Sequence, residues 1–428
     1  MDPMGRDSGR EGFSLWSIAI PAYGPSLLFG LGEGAILPII ALSARGLGAT
    51  VAAAALVLTL VGVGSLLSNI PASIITAKYG ERFAMVGAAV LSIVALLLCI
   101  AAQDLWVYAL GIALIGASAA VFNLARQSFL TEVVPVALRA RAMSTLGGVM
   151  RIGIFAGPFL GALAIHLMGL EGAYWVAVLA MAGAGALSWG LPDLEAAQRA
   201  GARKSSTTAA AATVAAAVVG ASGRPVAPGP GIRSILAAHG RLFLTVGLGV
   251  LLVSAVRSSR QVVIPLWAEH LGLDATATSL IYGLSGAIDM LVFYPAGKVM
   301  DRKGRVWVAV PCMAIMGVSL LLMPLTGGAT SLLLVSLLIG FGNGIGSGMI
   351  MTLGADYSPS PGRAQFLGIW RFISDLGGSG GPALLSAVTA LATLSIGIGV
   401  TGLLGLAAAV VLWYWVPRTP RWRPGPGG

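Results

Sequence analysis

Pro295-Ala296-Gly297-Lys298-Val299-Met300-Asp301-Arg302-Lys303-Gly304-Arg305 is a charged turn between two long apolar stretches, and a related turn stands 224 residues earlier. At that offset Pro71-Ala72 matches Pro295-Ala296, and Gly80 matches Gly304. Further along, Glu132 with Pro135 matches Asp356 with Pro359, Arg139 matches Arg363, and Gly157-Pro158 matches Gly381-Pro382. An offset held over roughly ninety residues marks an internal repeat.

The repeat is written in the language of a membrane. Of 428 residues, 57% are apolar and only 10% are charged, whereas a soluble chain carries about 25% charged residues. Polar punctuation leaves twelve apolar stretches of spanning length, from 15–42 to 394–416, with the eleventh at 364–390. None alternates as a barrel strand would, so helices are expected. The expected fold is all-α, with twelve transmembrane helices in two pseudo-symmetric bundles: an N-terminal six-helix bundle at 1–192, a cytoplasmic linker at 193–241 and a C-terminal bundle at 242–428. The linker is rich in Arg, Ser, Pro and Ala, and an amphipathic helix near 233–240 is expected at its end. The first residues carry Arg6 and Arg10 but no small-residue cleavage pattern, so the first span is expected to be retained.

Basic residues set the expected orientation. Among the 26 Lys and Arg, only Arg45 falls on one side, Arg126, Arg151, Arg257, Arg260 and Arg371 fall within spans, and the rest gather on the other side. The positive-inside rule then places both termini in the cytoplasm of a bacterial inner-membrane protein. The net charge of +10 is this topology signal rather than a nucleic-acid footprint, because no basic stretch is interleaved with aromatics. Cys99 and Cys312 lie in apolar spans, as packing residues do. His166, His239 and His270 show no metal-ligand spacing, so neither metal nor cofactor is expected. Phosphate-cradling loops and nucleophile–base arrangements are likewise missing from the sequence, which points away from an enzyme and towards an ion gradient as energy source.

The turn at 297–305 resembles the loop signature of the major facilitator superfamily, and the resemblance extends over nearly the whole chain. It implies a gating cluster of Gly297, Asp301, Arg302, Gly304 and Arg305: Gly297 for close helix packing, Gly304 for a tight turn, and Asp301 facing the start of span 5 near Arg139 and Arg141. The first copy departs from the pattern, with Ser73, Ala77 and Glu81 where the family has Gly, Asp and a basic residue. A second resemblance lies in Gly153-Ile154-Phe155-Ala156-Gly157-Pro158-Phe159-Leu160-Gly161-Ala162, which is similar to the antiporter motif of twelve-helix drug:proton antiporters. It implies a bend at Gly157 and Pro158 where the halves rock. Ser144 and Ala162 replace two of that motif's glycines, and Ile112 stands where a span-4 arginine is usual.

Ionisable residues at membrane depth are costly and must face the interior or a partner. Glu33, Asp289 and Asp375 are the acids, set against Arg126, Arg151, Arg257, Arg260 and Arg371. Arginine keeps its charge, so protonation changes fall on the acids. An apolar cavity favours the neutral carboxyl and a nearby arginine opposes this. Glu33 is the first proton-coupling candidate, Asp289 the second, and Asp375 a partner for Arg371 or Arg151. Arg257 and Arg260, three residues apart on one helical face, are candidates for binding substrate, with Arg151, Arg371, Asn123, Arg126 and Trp370, and with Tyr282, Phe372 and Gln127 available to complete the cavity. Guanidinium groups grip carboxylate or phosphate bidentately. The glycines Gly340, Gly344 and Gly348 read as close packing.

These features lead to an expected proton-coupled exporter of small amphipathic compounds, working as a monomer in the lipid bilayer by alternating access. The surplus of arginines motivates the alternative of a specific carrier for an anionic or zwitterionic metabolite, lipid or siderophore.

Overall fold

The structure, a computed structural model, describes residues 19–134, 139–190, 232–359 and 362–419. The terminal arginines and most of the expected linker lie outside the described residues. So do the side chains of Asp301, Arg139, Arg141 and Arg363. All regular structure among the described residues is helical. The first set is α1 (Ala19–Ile36), α2 (Ile40–Gly46), α3 (Val51–Ala101), α4 (Leu105–Val133), α5 (Arg139–Met168) and α6 (Glu171–Trp189). The second is α7 (Ile232–His270), α8 (Ala275–Lys303), α9 (Val306–Leu322), α10 (Ala329–Ile345), α11 (Met349–Tyr357), α12 (Arg363–Leu391) and α13 (Leu394–Arg418). Helix α7 starts ten residues before the boundary expected at 242, so the segment 233–240 belongs to a continuous helix.

Among the described residues ten helices are long and apolar enough to cross a membrane, counting α3 as Val51–Asn69 and Lys78–Ala101. The bent pair α1 and α2 makes up to eleven. The expected eleventh stretch is the 29-residue α12, whose serines, glycines, Arg371 and Asp375 dilute its hydropathy. The chain is thus an all-α multi-pass membrane protein.

The offset of 224 recurs in three dimensions. Gly48 and Gly272 both take positive φ, at 83° and 73°, as do Gly80 and Gly304, at 82° and 97°. Only a residue without Cβ does this at no steric cost. Each of the first two turns ends in a helix N-cap: Thr50 accepts a hydrogen bond from Ala53 N and Asp274 from Ala277 N. Gly153 and Gly157 press α5 onto the α1 backbone at Leu27 and Leu31. Gly377 and Gly381 press α12 onto the α7 backbone at Leu251 and Ala255. Every one of these pairs is 224 apart.

Two helices are interrupted. Pro38 has no N–H to give, and α1 meets α2 at 42° there. Tyr108 Oη donates to the Ile40 carbonyl at 3.0 Å and accepts from Tyr174, whose hydroxyl is also hydrogen-bonded to Ser43. This chain of hydroxyls pins α2. Between α10 and α11, Gly348 takes φ +79°. Gly340 and Gly344, by contrast, lie against the α8 backbone at Ser285 and Asp289, in the close packing expected of them. The first set of helices meets the second mainly along α3–α12 and α5–α8. On the face bearing the Gly48 and Gly272 turns, Arg45 Nε pairs with Glu269 Oε1 at 2.9 Å, and Ser386 donates to the Ala52 carbonyl at 2.7 Å.

A Cβ added at Gly157 would lie 2.5 Å from Ala35 N and Leu31 O. Gly157→Val should therefore destabilise the protein by about 1–3 kcal/mol, as overpacking generally does. Gly297→Ala, where a Cβ meets nothing within 4 Å, should not. Thermal midpoints of the two variants in detergent test this; equal midpoints would refute the packing role.

Candidate functional site

Four of the predicted residues come together at mid-helix. Arg257, in α7, donates through Nε to Asn343 Oδ1 at 2.8 Å and through Nη1 to the Gly346 carbonyl at 3.0 Å, where α10 breaks. Asn343 Nδ2 donates to Asp289 Oδ2 at 2.5 Å. The same carboxylate oxygen accepts from Arg260 Nη2 at 3.2 Å. Opposite, Arg151 reaches out of α5 to donate to Ser347 Oγ, with its guanidinium 5.2 Å from the Phe293 ring centroid. Arg257 lies within electrostatic reach of Arg151, Arg260 and Asp289, and Asp289 pairs directly with Arg260.

These residues line two cavities between the helix sets. The smaller, about 220 Å³, is walled by Arg151, Arg257, Arg260, Asp289, Tyr282 and apolar groups including Phe155, Pro158 and Met290. The larger, about 390 Å³, lies between α3, α7 and α12, and includes Arg371 and Asp375. Arg257 and Gln261, one turn apart on α7, line both. Leu66, Asn69 and Arg371 on its wall are exposed. The Arg45–Glu269 pair and the Ser386–Ala52 contact join the halves on the opposite side, so access is from the face bearing the Gly80 and Gly304 turns.

Other predicted residues sit elsewhere. Glu33 faces Arg126 of α4 within electrostatic reach, outside both cavities, because its neighbours Gly32 and Gly34 pack against α6 and α5. Arg126 is buried, and its Nε and Nη1, like Asn123 Oδ1, find no hydrogen-bond partner among the described residues. Asp375 stands 3.8 Å from Arg371 and not beside Arg151, which is taken up by Ser347 and Phe293. Trp370 does not reach the cavities: it is buried, donates to the Ile350 carbonyl at 2.9 Å and stacks on Phe366. Phe372 is exposed away from them.

The gating cluster is placed in part. Gly304 makes the tight turn, and Arg305 grips both carboxylate oxygens of Asp356 at 2.9 and 3.3 Å while donating to the Met300 carbonyl. Arg302 is exposed. The close packing expected at Gly297 is not found: a side chain there would meet nothing within 4 Å, and Tyr294 and Val299 nearby are exposed while Ala296 and Met300 are buried. Pro158 lies across from Gly283 of α8, while Gly157 packs within its own helix set.

Asn343, Ser347 and Gln261 are not among the candidates expected from sequence, which centre on the charged residues of the spans. Asn343, an amide inside the apolar run of α10, was the available signal, since an unpaired amide there is costly. Asn343→Leu would leave Arg257 Nε without its acceptor and remove a donor from Asp289. A loss of about 1–3 kcal/mol is expected, measurable as a lowered thermal midpoint; an unchanged midpoint would show that the amide is not needed.

A family model described as Major Facilitator Superfamily matches residues 26–382 and, in a second match, 246–428. A search of curated proteins found no match. Among solved structures, a bacterial homologue of the human lysosomal transporter Spinster, inward-facing and unoccupied, superposes with a TM-score of 0.73 at 12% identity, covering 96% of this chain and 98% of that one. A D-xylose–proton symporter gives 0.68 at 13% identity, with 94% and 97% covered. A POT family transporter in complex with 5-aminolevulinic acid gives 0.68 at 11% identity, with 94% and 96% covered. At such identities the likeness is one of fold. Fold and family are those of transporters rather than enzymes, and the chain belongs to the Major Facilitator Superfamily.

Proposed function

We propose that the chain is a proton-coupled secondary transporter that carries a specific small anionic or zwitterionic solute by alternating access. The observation that carries this reading is the smaller cavity, which three guanidinium groups line beside one carboxylate. At an effective dielectric of about 20, two like charges 4 Å apart repel by about 4 kcal/mol. A bound anion relieves that repulsion, and a cationic amphipath adds to it. The cavity therefore favours the anion carrier over the multidrug exporter.

In this reading the two helix sets are pseudo-symmetric six-helix bundles, with α12 as the eleventh of twelve spans and both termini cytoplasmic. The protein acts as a monomer in the bacterial inner membrane. Glu33 and Asp289 take up and release the coupling protons. Protonating Asp289 frees Arg260 and strengthens the grip on an anion; ionising it returns the pair and weakens that grip. A D-xylose–proton symporter of the same fold supports proton coupling by analogy only.

Vesicles containing the purified protein supply the test. Under an imposed pH gradient, organic anions should accumulate and cationic dyes should not. Glu33→Gln and Asp289→Asn should abolish gradient-driven accumulation. Arg257→Gln should weaken substrate binding by about 10- to 100-fold, the worth of one charge-assisted hydrogen bond. Transport of dyes without anions, or full coupling in the Glu33 and Asp289 variants, would overturn the proposal.

Alternating access also requires the Arg45–Glu269 contact to part. Arg45→Glu or Glu269→Arg should increase labelling of a cysteine placed at Leu58, on the cavity wall, by an impermeant thiol reagent from that face. The double reversal should restore protection; labelling as strong as in the single variants would refute the role of the pair.

A further inference from the structure

The two cavities differ in chemistry, and the difference bears on what fills them. The smaller is cationic. Arg257 has spent Nε and Nη1 on Asn343 and Gly346, and Arg151 has spent Nη1 on Ser347, so each keeps donors for a ligand. Asp289 is balanced by Arg260. The surplus positive charge faces about 220 Å³, room for an oxyanion and a few further atoms.

The larger cavity is close to neutral, since Arg371 and Asp375 stand together, but its wall is dense in polar side chains. Ser65 and Asn69 come from α3, Ser258 and Gln261 from α7, and Ser379 from α12. Among the described residues none of these five makes a side-chain hydrogen bond within the protein. Polar side chains on a transmembrane cavity wall are costly unless they meet water or a ligand. Here they stand on three helices around one space of about 390 Å³. The cavities meet at Arg257 and Gln261, so one molecule can occupy both.

Resting on the anion-carrier reading above, we infer that the substrate is a polyhydroxylated oxyanion. Its acidic group is held in the smaller cavity by Arg151, Arg257 and Arg260, and its hydroxyl-bearing body lies in the larger one against Ser65, Asn69, Ser258 and Ser379. Gln261 reads the junction between head and body. An apolar organic anion would satisfy the arginines but leave the serine-lined chamber unpaired. A neutral polyol would do the reverse. Only a molecule with both parts meets both walls, and a site built to hydrogen-bond hydroxyls discriminates strongly against an analogue that lacks them.

Binding to the purified full-length protein tests this with four probes of similar size: gluconate, glucose 6-phosphate, hexanoate and sorbitol. At least one of the first two should bind ten-fold or more tighter than both hexanoate and sorbitol. In a Ser65→Ala/Ser258→Ala variant that advantage should shrink to less than three-fold, with hexanoate binding unchanged. Arg151→Gln should weaken the polyol anion and hexanoate alike. Hexanoate binding as tightly as the polyol anions overturns this inference and leaves the anion carrier standing. Failure of both polyol anions to bind also overturns it. If tetraphenylphosphonium binds and no anion does, the anion-carrier reading falls as well.

Discussion

A guanidinium group in the middle of a membrane cannot be neutralised by giving up its proton, and this constraint shapes the centre of the molecule. Arg257 is held by an amide and a backbone carbonyl, Arg260 by a carboxylate, and Arg151 by a hydroxyl and an aromatic face. The arginines stand on α5 and α7 and their partners on α8, α10 and the break after α10, so the electrostatic requirement of a few side chains fixes how those helices sit. The break between α10 and α11 belongs to the same arrangement. There the Gly346 carbonyl accepts from both Met349 N and Arg257. Irregular backbone at membrane depth is tolerated where it lines a cavity, and Ser347 and Ile350, on either side of Gly348, do line the two cavities.

The repeat supplies a symmetric frame, and the chemistry departs from it. Helix pairs α1–α5 and α7–α12 approach through glycines at equivalent positions, and the turns at Gly48 and Gly272 share their backbone geometry. Yet position 33 is a glutamate where position 257 is an arginine. The first copy buries its ionisable pair, Glu33 with Arg126, away from the cavities, whereas the second exposes its network to them. Packing is conserved between the copies because backbone contact at a glycine leaves no alternative. A charge on the cavity wall is free to change, since its partners are water, ligand or another side chain.

This division explains what could be read from sequence. The helical fold and the repeat were legible because composition, span length and a fixed offset all express backbone and solvent constraints. Arg257, Arg260 and Asp289 were legible as a group because a charge in an apolar run must find company. Their pairing was not: Asn343 links Arg257 to Asp289 across helices far apart in sequence. Trp370 looked like a cavity residue but is a packing one, because an aromatic ring in a span does not declare which way it faces. Gly297 follows a family pattern, yet a side chain there would meet nothing within 4 Å in this conformation. The span expected at α12 resembles a spanning helix less than its neighbours do, because one flank meets the serine-lined cavity.

The Arg45–Glu269 contact has a further meaning. The two residues are 224 positions apart, the spacing of the repeat, so each is the other's counterpart. Across a two-fold axis a residue meets its own twin. Two identical copies would present either two arginines or two glutamates at this point, and like charges repel. The bridge therefore could not have existed when the copies were the same. It is a product of divergence, and it gives the fused chain a preference for pairing unlike halves that no dimer of either half alone could possess.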